Sequence, residues 1–227
     1  MSSSITRWLP ALTRTTTRRT MLTCAGIAIT AGAIAGPAAA QAAPGNSAHK
    51  AASNAKKPAK DKELRYQYKS QENYYYCGPA ATRIAASANG HTMSQDEVAR
   101  KLGTTTAGTN SAEDTTRVMR DITGKDYRTT SIPGPEATPA QMDQLQADVA
   151  NAIENDKAVI ANVRGGTTDA NGIYRSYPGG HYVTVVGYED EGRMVKIADP
   201  AAPSGDGTYW VSTINLANWM AERGYSS

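Results

Sequence analysis

The residues most capable of chemistry begin at Cys77, which is followed by Gly78, Pro79, Ala80 and Ala81. Proline is tolerated in the first turn of a helix, where its missing N–H has no intrahelical partner to lose. The run Ala80 to Ala88 therefore reads as a helix opened by the cysteine, with Gly90 just past its end. A helix N-terminus favours an anion and lowers the pKa of a thiol placed there. The small neighbours leave room for a substrate.

A thiolate at neutral pH needs a base, and the candidates are His49, His91 and His181. His181 follows Gly179 and Gly180, and the apolar run behind it, Val183, Val185 and Val186, would hold the imidazole on a rigid strand. Glu189 to Gly192 form a hairpin turn to the next strand, which ends at Asp199 beside Pro200. That hairpin brings Asp199 to the edge occupied by His181, where the carboxylate can accept the second ring N–H and fix the tautomer. Gln71, six residues before the cysteine, supplies an amide that could join the Cys77 backbone N–H in holding a developing oxyanion. Each residue also has an ordinary reading. A lone cysteine can be an inert thiol or an intermolecular disulfide, a lone histidine a satisfied core residue, and Asp-Pro a turn. The combination favours a nucleophile with its base.

The elements that must position these residues divide the chain in two. Ser94 followed by Glu97 is a capping box for a helix ending at Gly103, a third helix runs from Ser111 to Ile122, and Thr138 and Pro139 start a fourth that ends near Asn155. In the fourth, Met142, Leu145, Val149, Ala152 and Ile153 recur at helical spacing and define its buried face. Residues 158–163, 181–188, 194–199 and 208–211 are short β-branched or aromatic runs of an antiparallel sheet. A last helix covers about Ile214 to Arg223, and the Gly-rich, polar residues 164–177 read as a loop beside the histidine, a candidate substrate flap.

These residues carry a resemblance. Gln71, then Cys77-Gly78-Pro79-Ala80-Ala81, then Gly180-His181-Tyr182-Val183 and Asp199-Pro200 resemble the papain-like cysteine peptidases, and within them the bacteriocin-processing peptidases that cut after double-glycine leaders. The resemblance implies an α+β papain-like fold, a helical N-terminal half carrying the nucleophile and an antiparallel sheet carrying histidine and acid. It further implies that Cys77 is the nucleophile, His181 the base and acid, Asp199 the orienting carboxylate and Gln71 the oxyanion donor. The leader peptidases are fused to membrane transporters with ATPase domains and this sequence has neither, so a double-glycine substrate does not follow. The same triad serves amide transfer or deamidation, and a lapsed site would leave a peptide or cell-wall binding module with a cleft lined by Tyr74, Tyr75, Tyr76, Tyr174 and Tyr177.

The N-terminus sets the compartment. Residues 1–42 contain no acid, place Arg7, Arg14, Arg18 and Arg19 ahead of an apolar run from Met21 to Ala35, and end in small residues after Pro37, which is a signal-peptide pattern. The run is shorter than the roughly 20 residues that a membrane span needs. Arg18-Arg19 fit either twin-arginine export or an ordinary basic leader. Residues 43–62, rich in Ala, Asn and Lys, are expected to be a flexible tether, with a weak cell-surface association through its lysines as a secondary reading. The domain 63–227 then keeps 15 basic against 20 acidic groups, a net −5, a poor charge balance for nucleic-acid binding. Removal of the leader also removes Cys24, leaving Cys77 as the single thiol of an exported chain. Asp169, Asn171 and Gly172 lack the bidentate glutamate of a calcium loop, so neither metal nor cofactor is expected. The expected partner is a peptide or protein substrate, met by a secreted monomer without a stable membrane anchor.

Overall fold

The computed structural model describes residues 59–202 and 205–227. The expected leader and most of the expected tether lie outside these residues. The described end of that tether, residues 59–62, is laid along the domain: Glu191 N–H donates to Lys60 O at 2.9 Å, and Lys62 Nζ pairs with Asp156 Oδ1 at 3.0 Å. Strand β1 (Lys62–Glu63) already includes one of those residues.

Helix α1 (Cys77–Ser87) begins at the cysteine itself. Helix α2 (Gln95–Leu102) carries the expected capping box, Ser94 with Glu97, and stops at Gly103 in the left-handed conformation, φ 71°. Helix α3 (Ala112–Thr123) follows, and α4 (Pro139–Glu154) is capped reciprocally by Thr138 and Gln141. Leu145, Val149, Ala150, Ala152 and Ile153 form the buried face of α4, and Met142 packs at its margin.

The strands β2 (Thr129–Ile132), β3 (Val159–Thr168), β4 (Tyr174–Glu189), β5 (Met194–Ala198), β6 (Thr208–Ser212) and β7 (Arg223–Ser226) form one sheet in the order β2-β7-β3-β4-β5-β6. Every pairing is antiparallel, and β1 pairs with β4 at Gly187 and Tyr188, past the point where β3 begins. Residues 181–188 of β4 are buried without a break. Successive strand side chains point to opposite faces, so this segment is covered on both sides. Thr184 Oγ1 donates to Ala81 O of α1 at 2.8 Å, and Ile84, Val186 and Ala198 form a separate small core there. The strand is thereby bolted to the helix that carries Cys77.

Residues 164–177 are a correction to the expected loop. After a bulge between Val163 and Gly165, β3 and β4 continue as a two-stranded arm, from Gly165 opposite Tyr177 to Thr168 opposite Tyr174. Gly, Thr, Ser and Arg carry little apolar signal, but a ladder of backbone hydrogen bonds does not require one. The turn at its tip is held by Asp169 Oδ1, which accepts from Asn171 N–H and Ile173 N–H, both at 2.9 Å. The last helix is also shorter than expected. Helix α5 spans Thr213–Trp219, and the chain turns at Glu222, φ 61°, into β7. Ser226 of β7 is fully buried and bonded to Thr115 and Thr116, an anchorage made of hydroxyls that apolar periodicity cannot reveal.

Candidate active site

Cys77 is the first residue of α1, preceded by Tyr76, which provides no side-chain cap. The first-turn N–H groups are therefore open to an anion. Gly78 permits close approach of the loop after α2. A Cβ on Gly78 would lie 2.8 Å from Thr109 Cβ and nearer still to its hydroxyl. Thr109 is itself held by Thr104, hydroxyl to hydroxyl at 2.8 Å, and Tyr182 OH donates to Thr109 O at 3.3 Å.

His181 and Cys77 line the same cleft, close enough for each side chain to shift the ionisation of the other. His181 Nε2 meets Asp199 Oδ1 at 2.8 Å. With Nε2 committed to the carboxylate, Nδ1 is the nitrogen left for the sulfur. The imidazole is 4 % exposed and the carboxylate 0 %. Gly180, φ 97°, turns the chain into the histidine in a conformation that favours glycine.

Asp199 is saturated. Oδ1 also accepts Ala201 N–H at 2.9 Å, while Oδ2 accepts Tyr177 OH at 2.8 Å and Tyr209 OH at 2.9 Å. Burial pushes this carboxyl up, but the His181 bond and charge, Ala201 N–H and Tyr177 hold it below the usual carboxylate range. Tyr177 also stacks on the imidazole with ring centroids 3.9 Å apart, and Trp219 stacks on Tyr177 at 6.0 Å. The Tyr177 phenol is pushed up by burial and the Asp199 charge, so it stays a donor.

Electrostatics of the pair run toward ionisation. Burial raises the Cys77 thiol, but the His181 bond and charge and the backbone N–H groups of Tyr182 and Gly78 outweigh it, and the net shift is downward. Burial lowers the His181 imidazole, yet Asp199 and Cys77 outweigh it and the net shift is upward. Both shifts favour thiolate beside imidazolium.

Gln71 reaches the same corner through its backbone, its N–H donating to Pro200 O at 2.9 Å. Its Nε2 donates to Asn73 O at 2.8 Å, which leaves one amide N–H free for another acceptor, and its Oε1 is buried without a partner. His91 lies in the α1–α2 connection, and His49 lies outside the described residues. Cys77, Thr109, Asn110, Gly180, His181 and Tyr182 line a cleft of about 240 Å³. A neighbouring cleft of about 470 Å³ shares Asn110, Asn162 and Arg223 with it.

No local sequence signal links Tyr177 or Tyr209 to the carboxylate, or the Tyr182 N–H to the sulfur. Tyr177 was readable only as a cleft tyrosine, whereas Tyr74 and Tyr174 are 80 % and 68 % exposed. The Asp169–Arg175 pair, 2.7 Å, takes the acid that superficially suggested a calcium loop. Arg175 in turn lies over the Tyr209 ring at 4.0 Å. Among the described residues there is no acid, histidine or cysteine cluster able to hold a metal ion, and no helix is long and apolar enough to cross a membrane.

Comparison with known proteins gives a family match over nearly all of the described chain. The Peptidase_C39 like family matches residues 63–226. No curated protein sequence matches. Among solved structures, a C39-like peptidase from Bacillus anthracis is similar at 12% identity and TM-score 0.49, covering 73% of this chain and 96% of its own. The peptidase domain of Streptococcus ComA, described as a bifunctional ABC transporter of a quorum-sensing pathway, is similar at 18% identity and TM-score 0.46, covering 71% and 96%. A double-glycine-motif protease from an AMS/PCAT transporter, solved with its leader peptide, is similar at 14% identity and TM-score 0.45, covering 72% and 91%.

Proposed function

The chain belongs to the C39-like peptidase family of papain-like cysteine peptidases, and from that premise we propose that it hydrolyses peptide bonds through a thioester on Cys77, with His181, Asp199 and Gln71 as the remaining machinery. The observation that carries this reading is the His181 imidazole, held by Asp199 at 2.8 Å and sharing one cleft with Cys77, where each of the two groups favours the charged form of the other.

In the proposed sequence the Cys77 thiolate attacks the scissile carbonyl carbon, and the carbonyl oxygen becomes an oxyanion. The Cys77 backbone N–H and the remaining Gln71 amide N–H stabilise that charge. The imidazolium gives its Nδ1 proton to the leaving amine, the C–N bond breaks, and the thioester remains. Neutral His181 then takes a proton from water, hydroxide adds to the thioester, and the thiol leaves as thiolate. Asp199 holds the proton on Nε2 throughout, so Nδ1 is the nitrogen that titrates.

Hydrolysis is favoured over a lapsed binding role because every polar partner of Asp199 and His181 is in place. Amide transfer uses the same groups and differs only in the acceptor. Secretion belongs to the same reading. It is supported by the acid-free basic leader, the short apolar run and the small residues after Pro37. In an oxidising compartment, a chain that loses Cys24 with its leader keeps one thiol, and the partial burial of Cys77 in its cleft limits adventitious pairing.

The test uses mature protein, a peptide library and a Cys77→Ala control, with iodoacetamide labelling of Cys77 alongside. The expected result is Cys77-dependent cleavage, and fast labelling at mildly acidic pH that His181→Ala slows. Labelling as sluggish as an ordinary thiol, with no cleavage, rejects the enzyme reading.

A further inference from the structure

The cleft beside Cys77 contains a cation that no carboxylate among the described residues claims. Arg223, the first residue of β7, lines both the cleft of about 240 Å³ that holds Cys77 and its neighbour of about 470 Å³. A Cβ on Gly180 would lie 4.0 Å from Arg223 Nη2, which puts the guanidinium beside the residue that leads into His181. Its charge is also felt by the phenol of Tyr182, the residue after the histidine, where it opposes the upward push of burial.

Arg223 Nε is shut off from solvent and has no hydrogen-bond partner. The nearby acids do not satisfy it. Glu222 pairs instead with Arg164 at 3.6 Å, and Glu113, which lines the larger cleft, makes no salt bridge with Arg223. Native proteins rarely leave a buried donor unpaired without a reason such as a missing ligand. Nε and Nη2 share one edge of the guanidinium, the edge that engages a carboxylate with two parallel hydrogen bonds. Gly180, without a side chain, leaves the space next to Nη2 open.

We propose that Arg223 is a specificity-determining residue that anchors a carboxylate of the substrate in the cleft beside Cys77. The proposal rests on Cys77 being the reactive thiol. Two sources share this chemistry: the free C-terminal carboxylate of a short peptide, which makes the enzyme an exopeptidase, and an acidic side chain near the scissile bond, which leaves it an endopeptidase. The unpaired guanidinium beside the thiol makes that spot locally positive and draws an anionic group there against the net charge of −5 of the domain.

Two alkylating reagents with the same leaving group test it, iodoacetate carrying a carboxylate and iodoacetamide carrying none. The imidazolium attracts iodoacetate in any case, so the diagnostic quantity is the iodoacetate-to-iodoacetamide rate ratio compared between proteins. In Arg223→Gln the ratio is expected to fall about tenfold, the scale of one lost charge-assisted contact. Arg223→Lys, which keeps the charge but not the fork, is expected to lie between. The iodoacetamide rate reports an intact thiolate in each variant, so a folding defect is recognised as a loss in both reagents, and the lysine variant then carries the test. Slow reaction of the unmutated protein with both reagents sinks the peptidase reading. Fast iodoacetamide reaction with an unchanged ratio in both Arg223 variants overturns the Arg223 proposal alone. Matched library peptides then separate the sources: preference for a free acid over its amide identifies the terminus, and preference for Glu over Gln at an internal position identifies a side chain. Equal cleavage of all four peptide types overturns the proposal.

Discussion

Tyr177 lies almost flat on the His181 imidazole, 3.9 Å between centroids and 26° between planes, while its hydroxyl donates to the carboxylate that holds the same imidazole. Ring and hydroxyl therefore act on one target from two directions, and substitution separates them. Tyr177→Phe keeps the stack and removes one bond to Asp199 Oδ2, which still accepts Tyr209 OH. We expect a stability loss of about 1 kcal/mol, the usual net value of a hydrogen bond, with only a few-fold loss in kcat/KM. Tyr177→Ala opens the imidazole to water and is expected to lower kcat/KM by at least a further tenfold, about 1.4 kcal/mol in the barrier. Equal kcat/KM for the two variants would show that the ring does no aligning.

Asp199→Asn tests the tautomer. An asparagine can keep the tyrosine bonds through its oxygen and can donate its N–H to Nε2, which forces the histidine proton onto Nδ1, facing the sulfur. Neutral His181 then cannot take a proton at Nδ1, and the imidazolium loses its counter-charge. Hydrolysis is expected to fall by roughly 10²–10⁴-fold, the range seen when a triad acid is neutralised. Iodoacetamide labelling at mildly acidic pH falls with it, because less of the sulfur is thiolate. Retention of fast acidic labelling would remove Asp199 from the ionisation of the pair.

The opposed shifts of Cys77 and His181 predict an unusual stability profile. His181 is raised in the folded protein, so its contribution is full below about pH 6.5 and is lost as pH rises through its folded pKa. Cys77 is lowered, so its contribution is full above about pH 8.5 and is lost as pH falls through its folded pKa. Between those two unfolded values, the unfolded chain holds one proton on the thiol and the folded pair holds one on the imidazole. The slopes cancel, and the pair contributes a plateau. Cys77→Ser removes one titrating partner and leaves Asp199 alone to oppose the burial of the imidazolium. Its stability is expected to decline through the same window, by up to about 1.4 kcal/mol per pH unit. Urea unfolding at several pH values measures this, and parallel profiles for the two proteins would contradict it.

Much of this arrangement was legible because the signals were local. Ser94 with Glu97, Thr138 with Pro139, and Gly103 announce helix ends through hydrogen bonds made within a few residues, and α2 and α4 start and stop there. The strand behind His181 announced itself by β-branched residues, and its hairpin partner placed Asp199. What was not legible depends on partners distant in sequence. Nothing around Tyr209 indicates that its hydroxyl ends on Asp199, and nothing in residues 129–132 or 223–226 indicates that they pair with each other across α4, β3 to β6 and α5. The arm from Gly165 to Tyr177 was hidden for a different reason, because its strands are held by backbone bonds and its side chains carry no apolar period.

Gly78 offers a structural test of the seat of Cys77, the proposed nucleophile. A Cβ there meets Thr109 Cβ at 2.8 Å, and Thr109 belongs to the loop that forms one wall of the cleft. Gly78→Ala must push that wall outward or tilt the first turn of α1. We expect a loss of about 1–3 kcal/mol, the range for overpacking a close contact, and a drop in kcat/KM. Thr109→Gly, combined with it, is expected to recover part of both losses. Full stability of the single variant would mean that the wall yields freely, and activity would then report whether the wall shapes the site.

Gln71, the proposed oxyanion donor, has a role separable from the thiolate. Its backbone is tied to Pro200 and its amide to Asn73, so the side chain is held whether or not a substrate is present. An oxyanion donor acts only once the carbonyl oxygen gains charge. Alkylation of Cys77 by iodoacetamide passes through no tetrahedral oxyanion, whereas hydrolysis does. Gln71→Ala is therefore expected to lower kcat for a library peptide by roughly 10²–10³-fold while leaving KM and the alkylation rate within about twofold, because ground-state binding and thiolate formation do not use the amide. Gln71→Glu is expected to be no better than alanine, since a carboxylate at that point opposes the developing charge. If Gln71→Ala slows alkylation as much as hydrolysis, the amide supports the sulfur and not the oxyanion, and the donor must be sought among other N–H groups of the cleft.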